Sequence, residues 1–155
     1  MNYKKIQTDI DQLIQHFGGY WSSLAATTRL LEELAELAES LKANDNHIGE
    51  EMADIFLITT CLANQHHYQL TEKKLLAVSV DFLDLLHEAG HIARTINATE
   101  GPKKPKSTEK IIPLQESIEK LHAVLKQLAL QHNIQLENEL NAKIKKIMIR
   151  DKDRF

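Results

Sequence analysis

Leu30-Leu31-Glu32-Glu33-Leu34-Ala35-Glu36-Leu37, followed after a polar turn by Ile48-Gly49-Glu50-Glu51-Met52-Ala53-Asp54-Ile55, is the stretch that decides how this chain folds. At about 100° of rotation per residue, Leu30, Leu34, Leu37 and Leu41 form one narrow stripe, and Ile48, Met52, Ile55, Thr59 and Leu62 form another. Each stripe predicts a helix that buries one face. Glu33 and Glu36 lie about 60° and 120° to one side of the first stripe, and Glu51 and Asp54 lie at about the same angles beside the second. Packed antiparallel across a short turn, the helices carry both acidic flanks to the same side, and the four carboxylates meet. Glu32, Glu39 and Glu50 point further from the core.

A single acidic pair beside an apolar stripe ordinarily just solvates a helix face. Two pairs in phase call for more, because converging carboxylates repel one another and raise their own pKa values unless a cation neutralises them. Hard oxygen ligands with room for water and phosphate suit Mg²⁺, with Mn²⁺ as the alternative. The expected metal ligands are therefore Glu33, Glu36, Glu51 and Asp54.

Composition fits this picture. With 155 residues, 43% of them hydrophobic and 26% charged, the chain is long enough for one compact core. Five Gly, three Pro and 5% aromatics, with Leu, Ala, Lys and Glu at helical period, predict an all-α protein rather than a sheet. The lone Cys61, within an apolar helix, excludes a disulfide framework, reads as inert packing and suggests a reduced compartment. The start MNYKKIQTDIDQ lacks the apolar run of a signal peptide, and no stretch approaches bilayer-spanning length, so a cytoplasmic protein without a membrane partner is expected. A net charge of −3 offers no nucleic-acid footprint.

Six helical segments are predicted, over residues 3–17, 23–43, 47–67, 71–98, 112–132 and 136–150. Gly18-Gly19 breaks the first from the second, and Asn44-Asp45-Asn46 turns the chain between the acidic helices. The long loop from Asn97 to Pro113 carries Lys103, Lys104 and Lys106, a run that read alone is a solvated loop. An internal repeat organises the whole: Gln65-His66-His67-Tyr68-Gln69-Leu70 matches Gln131-His132-Asn133-Ile134-Gln135-Leu136, and Leu30-Leu31-Glu32-Glu33 matches Leu85-Leu86-His87-Glu88. The expected architecture is a helical bundle built as a pseudo-dimer of two fused repeats within one domain, residues 1–70 with the intact acids and residues 71–155 with a degenerate copy. Carried across the repeat, Glu88 takes the place of Glu33, His91 of Glu36, Ser117 of Glu51 and Lys120 of Asp54. A lysine at a ligand position is itself a cation and opposes a second metal site.

These residues resemble the MazG-like nucleotide pyrophosphohydrolases, all-α enzymes marked by EExxE followed by ExxD, here Glu32-Glu33-Leu34-Ala35-Glu36 and Glu51-Met52-Ala53-Asp54. Gly18-Gly19-Tyr20-Trp21, Arg29-Leu30 and Leu62-Ala63-Asn64 in the first half extend the resemblance, as do Ile92-Ala93-Arg94-Thr95-Ile96-Asn97, the Gly101 to Lys104 loop and Arg150-Asp151-Lys152-Asp153-Arg154-Phe155 in the second. The resemblance implies a Mg²⁺-dependent enzyme that cleaves a nucleoside triphosphate between the α and β phosphates, releasing monophosphate and pyrophosphate. Family members build sites between subunits of dimers or larger assemblies. Fusion supplies that partner in cis, and the apolar helix faces leave a further homodimer of the fused chain open.

The carry-over assigns catalysis to the four ligands, with Glu32 positioning or deprotonating water. Lys143 and Arg150, two turns apart on one helix face, are candidate clamps for the triphosphate, assisted by Arg154, Lys103 and Lys104. Ile147 stands where the family pattern has an Asn between that Lys and Arg, which weighs against direct phosphate contact by this helix. Trp21 and Asn64 are candidates to meet the base, by stacking and by amide hydrogen bonds.

Two other readings compete. His87-Glu88-Ala89-Gly90-His91 is a formal H-E-x-x-H match, a zinc-hydrolase signature, but it aligns inside the repeat and lacks the x-x-G-x-x-H continuation after His91. The other is a non-catalytic nucleotide-binding or interaction module, which the intact acid quartet opposes because unselected converging acids are costly.

Overall fold

The computed structural model describes residues 1–74, 78–102 and 104–150, the side chain of Arg150 excepted. Among these residues the chain is all-α: α1 (Tyr3–His16), α2 (Ser23–Ala43), α3 (Ile48–Gln65), α4 (Phe82–Thr99), α5 (Leu114–Gln131) and α6 (Leu136–Arg150). Helix α3 is the centre, packed against α1, α2, α5 and α6, and α2 also meets α4. Its composition explains its place. Met52, Ala53, Ile55, Phe56, Leu57, Thr59, Thr60, Cys61, Leu62 and Ala63 are all buried, so apolar side chains cover most of its circumference.

Local chemistry sets the ends. Ser22 caps α2 by accepting from the Ala25 amide at 3.2 Å, and Asn44 ends it in the left-handed region at φ 52°, which Asn tolerates. Gly18 and Gly19 follow α1 at φ 97° and 101°, a conformation that favours glycine, and they deliver Tyr20 and Trp21 to the start of α2. The core beneath α3 holds an unusual element. His122, fully buried on α5, stacks on Phe56 at 3.8 Å and meets the Thr59 hydroxyl at 2.8 Å. Thr59 lies 2.7 Å from the Ile55 carbonyl, so its proton goes there and the His122 Nε2–H donates to Thr59. Burial pushes the imidazole down to about 3, so it stays neutral.

One predicted element is corrected. The helix expected over 71–98 begins at Phe82, and the described part of 71–81 is not helical; residues 75–77 lie outside the described residues. Asp81 starts α4 with a capping box, its carboxylate accepting from Leu83 and Asp84 amides while Asp84 accepts from the Asp81 amide. Before it, the chain lies along α5. The Gln69 carbonyl accepts from Gln115, and the Thr71 amide and hydroxyl both donate to Glu119 at 2.9 Å. Gln131 holds Val80 through both amide atoms. Side chains of α5 thus satisfy backbone groups that a helix would have paired internally.

Candidate metal and nucleotide site

The α2–α3 hairpin brings Glu33, Glu36 and Glu51 together, with one carboxylate oxygen from each within 4.8 Å of the others. They form the one group of three or more metal-capable side chains among the described residues. Glu33 is 2% exposed, and its carboxyl is pushed up to about 7, chiefly by burial, next by the charge of Asp54, against the pull of Arg29. Glu51 is likewise raised to about 7, by burial and then by Asp54 and Glu36. Its Oε2 atom is buried without a hydrogen-bond partner. An orphaned carboxylate oxygen beside two further acids is the condition a hard divalent cation relieves, so this donor set fits Mg²⁺ or Mn²⁺.

Asp54, the fourth expected ligand, sits on the same side but is bound by α6. The Lys143 ammonium donates to Asp54 Oδ2 and, at 3.0 Å, to Glu50, which also accepts from Lys146. Burial raises the Asp54 carboxyl while its bond to Lys143 pulls the other way. Burial works against the Lys143 charge, yet the bonds to Asp54 and Glu50 outweigh it and hold the ammonium above its ordinary range. Glu50 is drawn down to about 2, first by Lys146 and then by Lys143.

Glu33, Glu36 and Asp54 line a cavity of about 300 Å³, which Glu51 adjoins through the cluster without lining it. Arg29, Glu33, Glu36, Asp54 and Lys143 line one part, and Phe17, Tyr20, Trp21, Leu57, Ile58 and Cys61 line the other, with Gln65 and Ile147. The cavity has a charged end and an apolar, aromatic one. Trp21 is 56% exposed, a lining residue rather than core.

Other expected site residues lie elsewhere. Glu32 is exposed and paired with Arg29, which also binds Glu33, and it does not line the cavity. Asn64 is engaged structurally: it accepts from Gln7 Nε2 at 2.8 Å and donates to the Gln7 carbonyl at 2.9 Å, tying α3 to α1. Its neighbour Gln65 lines the cavity instead. Lys104 is exposed in its loop and does not line the cavity, while Lys103, Arg154 and the Arg150 side chain lie outside the description. His87 and His91 meet edge to face at 4.6 Å, and His87 Nδ1 lies 3.4 Å from Glu88, but no third ligand converges on them among the described residues. In the second half, Lys120 pairs with Glu116 at 2.8 Å.

Sequence reasoning missed Gln65 and the cavity-facing role of Arg29. The signal for Gln65 was its place at the head of the repeated Gln-His motif. Its counterpart Gln131 binds Val80, whereas the Gln65 amide makes no side-chain hydrogen bond within the described protein.

Residues 22–77, which contain both acidic motifs, match the MazG nucleotide pyrophosphohydrolase domain. An uncharacterized Bacillus subtilis (strain 168) protein, YpjD, is 36% identical over an 81-residue alignment that covers 44% of this chain and 73% of YpjD. The chain belongs to the MazG family of nucleotide pyrophosphohydrolase domains. No solved structure gives a significant match. No helix among the described residues is long and apolar enough to cross a membrane.

Proposed function

We propose that this protein is a Mg²⁺-dependent nucleoside triphosphate pyrophosphohydrolase that cleaves the α–β anhydride to monophosphate and pyrophosphate, with Mn²⁺ able to replace Mg²⁺. The observation that carries the reading is one cavity lined by the carboxylates of Glu33, Glu36 and Asp54 in one part and by Trp21 and apolar side chains in the other. A nucleotide has the matching polarity, a polyanion that needs a bridging cation and a flat base that stacks.

Glu33, Glu36 and Glu51 would hold the cation, with Asp54 as the fourth carboxylate. The ion supplies charge neutralisation for the transferring phosphoryl group and a polarised attacking water. Glu51, with a buried and unpartnered oxygen, is suited to complete the carboxylate set of that cation. Arg29 fixes Glu33 in place and presents positive charge to the cavity. Trp21 offers a stacking face, and the Gln65 amide offers a donor and an acceptor for a base edge.

The tandem-repeat origin is part of this proposal. His67 and Asn133, equivalent residues of the repeated motif, both adopt the left-handed region, at φ 58° and 57°. The same closing bonds follow them, from the Tyr68 amide to the Ala63 carbonyl and from the Ile134 amide to the Ala129 carbonyl. One half would then keep the metal site while the other lends α6 as its wall.

The decisive experiment measures pyrophosphate release on a panel of canonical and modified nucleoside and deoxynucleoside triphosphates with Mg²⁺, Mn²⁺ or EDTA, for wild type and Asp54→Asn. Metal-dependent monophosphate and pyrophosphate from wild type, with a loss of about a hundredfold or more in a folded Asp54→Asn variant, is the expected result. Silence across the panel would leave a nucleotide-binding module, and full activity in Asp54→Asn would remove the site assignment.

A further inference from the structure

Three of the four expected carboxylates cluster together, while Asp54 is held toward α6 by Lys143. The two side chains are 11% and 13% exposed, so solvent screens the pair weakly. Lys143 also lines the cavity that the acids line. A divalent ion at the cluster and the Lys143 ammonium are therefore like charges competing for the same acidic field.

We propose that Lys143 is a resident counter-ion of the metal site: cation loading displaces its ammonium from Asp54 and turns it into the cavity, where it meets the polyphosphate of the substrate. The inference rests on the proposed reading of the acids as a metal site. Lys143 thus acts on metal affinity through Asp54, and it couples the two cargoes, since the displaced ammonium keeps Glu50 as its one acidic partner until a polyanion arrives.

The surroundings allow this as a side-chain movement without detachment of α6. Leu136 and Leu140 anchor the helix in the core. Ile144 and Ile147 pack against that core, and Lys146 independently binds Glu50 at 2.5 Å. Glu50 is accordingly assigned as the acid that holds the helix wall while Asp54 changes partner.

Mn²⁺ titration of wild type, Lys143→Met and Lys146→Met tests the idea. Lys146→Met removes the same charge nearby but touches Glu50 alone, so it controls for the general field. Lys143→Met should bind Mn²⁺ about tenfold tighter than wild type or better, and Lys146→Met within about twofold of it. Equal or weaker binding by Lys143→Met overturns the inference. A second readout needs no variant: acetylation of wild-type lysines followed by mass spectrometry. Mg²⁺ should raise labelling of Lys143 several-fold relative to Lys146, and adding inorganic tripolyphosphate to the Mg²⁺ protein should suppress it again. Labelling of Lys143 that ignores Mg²⁺ overturns the displacement. Failure of all three proteins to bind Mn²⁺ removes the metal site itself, whereas equal binding by all three removes only the role of Lys143.

Discussion

Metal affinity should depend steeply on pH between 6 and 8, a range in which ordinary carboxylates do not titrate. Glu33 and Glu51 are both raised to about 7, and coordination requires both to be ionised. A carboxyl with that value is roughly 9% ionised at pH 6 and roughly 91% at pH 8, so each group alone changes apparent affinity about tenfold. Glu33, at 2% exposed, should deliver that factor in full. Glu51 is more open to solvent, and screening reduces its share, which places the total between about tenfold and a hundredfold. Carboxyls at the ordinary value of about 4.5 would be roughly 97% ionised at pH 6 and would give almost no change. Calorimetric titration with Mn²⁺ at pH 6, 7 and 8, in buffers of different ionisation enthalpy, reads both the affinity and the protons released. Between one and two protons should leave per ion at pH 6, and few at pH 8. A dissociation constant constant within about twofold, with no proton release at pH 6, would refute the claim that the cluster is held partly protonated by burial and mutual repulsion.

Trp21→Ala should raise KM about fivefold or more with little change in kcat, because base stacking contributes about 1–3 kcal/mol. Its melting temperature should not move, since the side chain is already 56% exposed, and a coupled fall in stability would place Trp21 in the core instead. His91→Ala should retain wild-type turnover and metal dependence in steady-state assays, as no third ligand converges on His87 and His91 among the described residues. His122 gives a stability prediction with a defined sign. Its folded value, about 3, lies below the ordinary value of 6.5, so as pH falls through 6.5 the unfolded chain takes a proton that the folded chain refuses. Between pH 6.5 and 5, wild type should lose about 1.7 kcal/mol relative to His122→Phe in urea denaturation, the slope rising toward about 1.4 kcal/mol per pH unit, and parallel profiles would show that the imidazole is protonated in the fold.

The all-α architecture and five of the six helix starts were legible because they depend on local information. Ser22 before α2, the Gly18-Gly19 break and the period of Leu30, Leu34 and Leu37 each act within a few residues. The phase argument for Glu33, Glu36 and Glu51 is local in the same sense, since one turn between two adjacent helices fixes their relation. The start of α4 went astray because Lys73-Lys74-Leu75-Leu76-Ala77 has helical composition, while the capping signal at Asp81-x-x-Asp84 sits behind it. What holds the described parts of that segment off the helical path is distant: Glu119 and Gln115 on Thr71 and Gln69, and Gln131 on Val80.

The same distinction explains Asn64 and Lys143. Adjacent residues on a helix differ by about 100° in direction, so whether Asn64 or Gln65 faces the cavity depends on what lies across from them. The answer is set by Gln7, whose amide binds Asn64, the Tyr68 carbonyl and the Leu70 amide, and thereby turns Gln65 to the cavity. Lys143 reaches Asp54 from 89 residues away, a pairing that no periodicity within either helix contains. Read on its own helix, Lys143 has the spacing of a phosphate clamp with Arg150. Read against α3, it first pairs with Asp54, the fourth carboxylate of the proposed metal site. If the ammonium alternates between Asp54 and phosphate, the two readings describe successive partners of one side chain, and the order in which they form is set by which cation the acids hold.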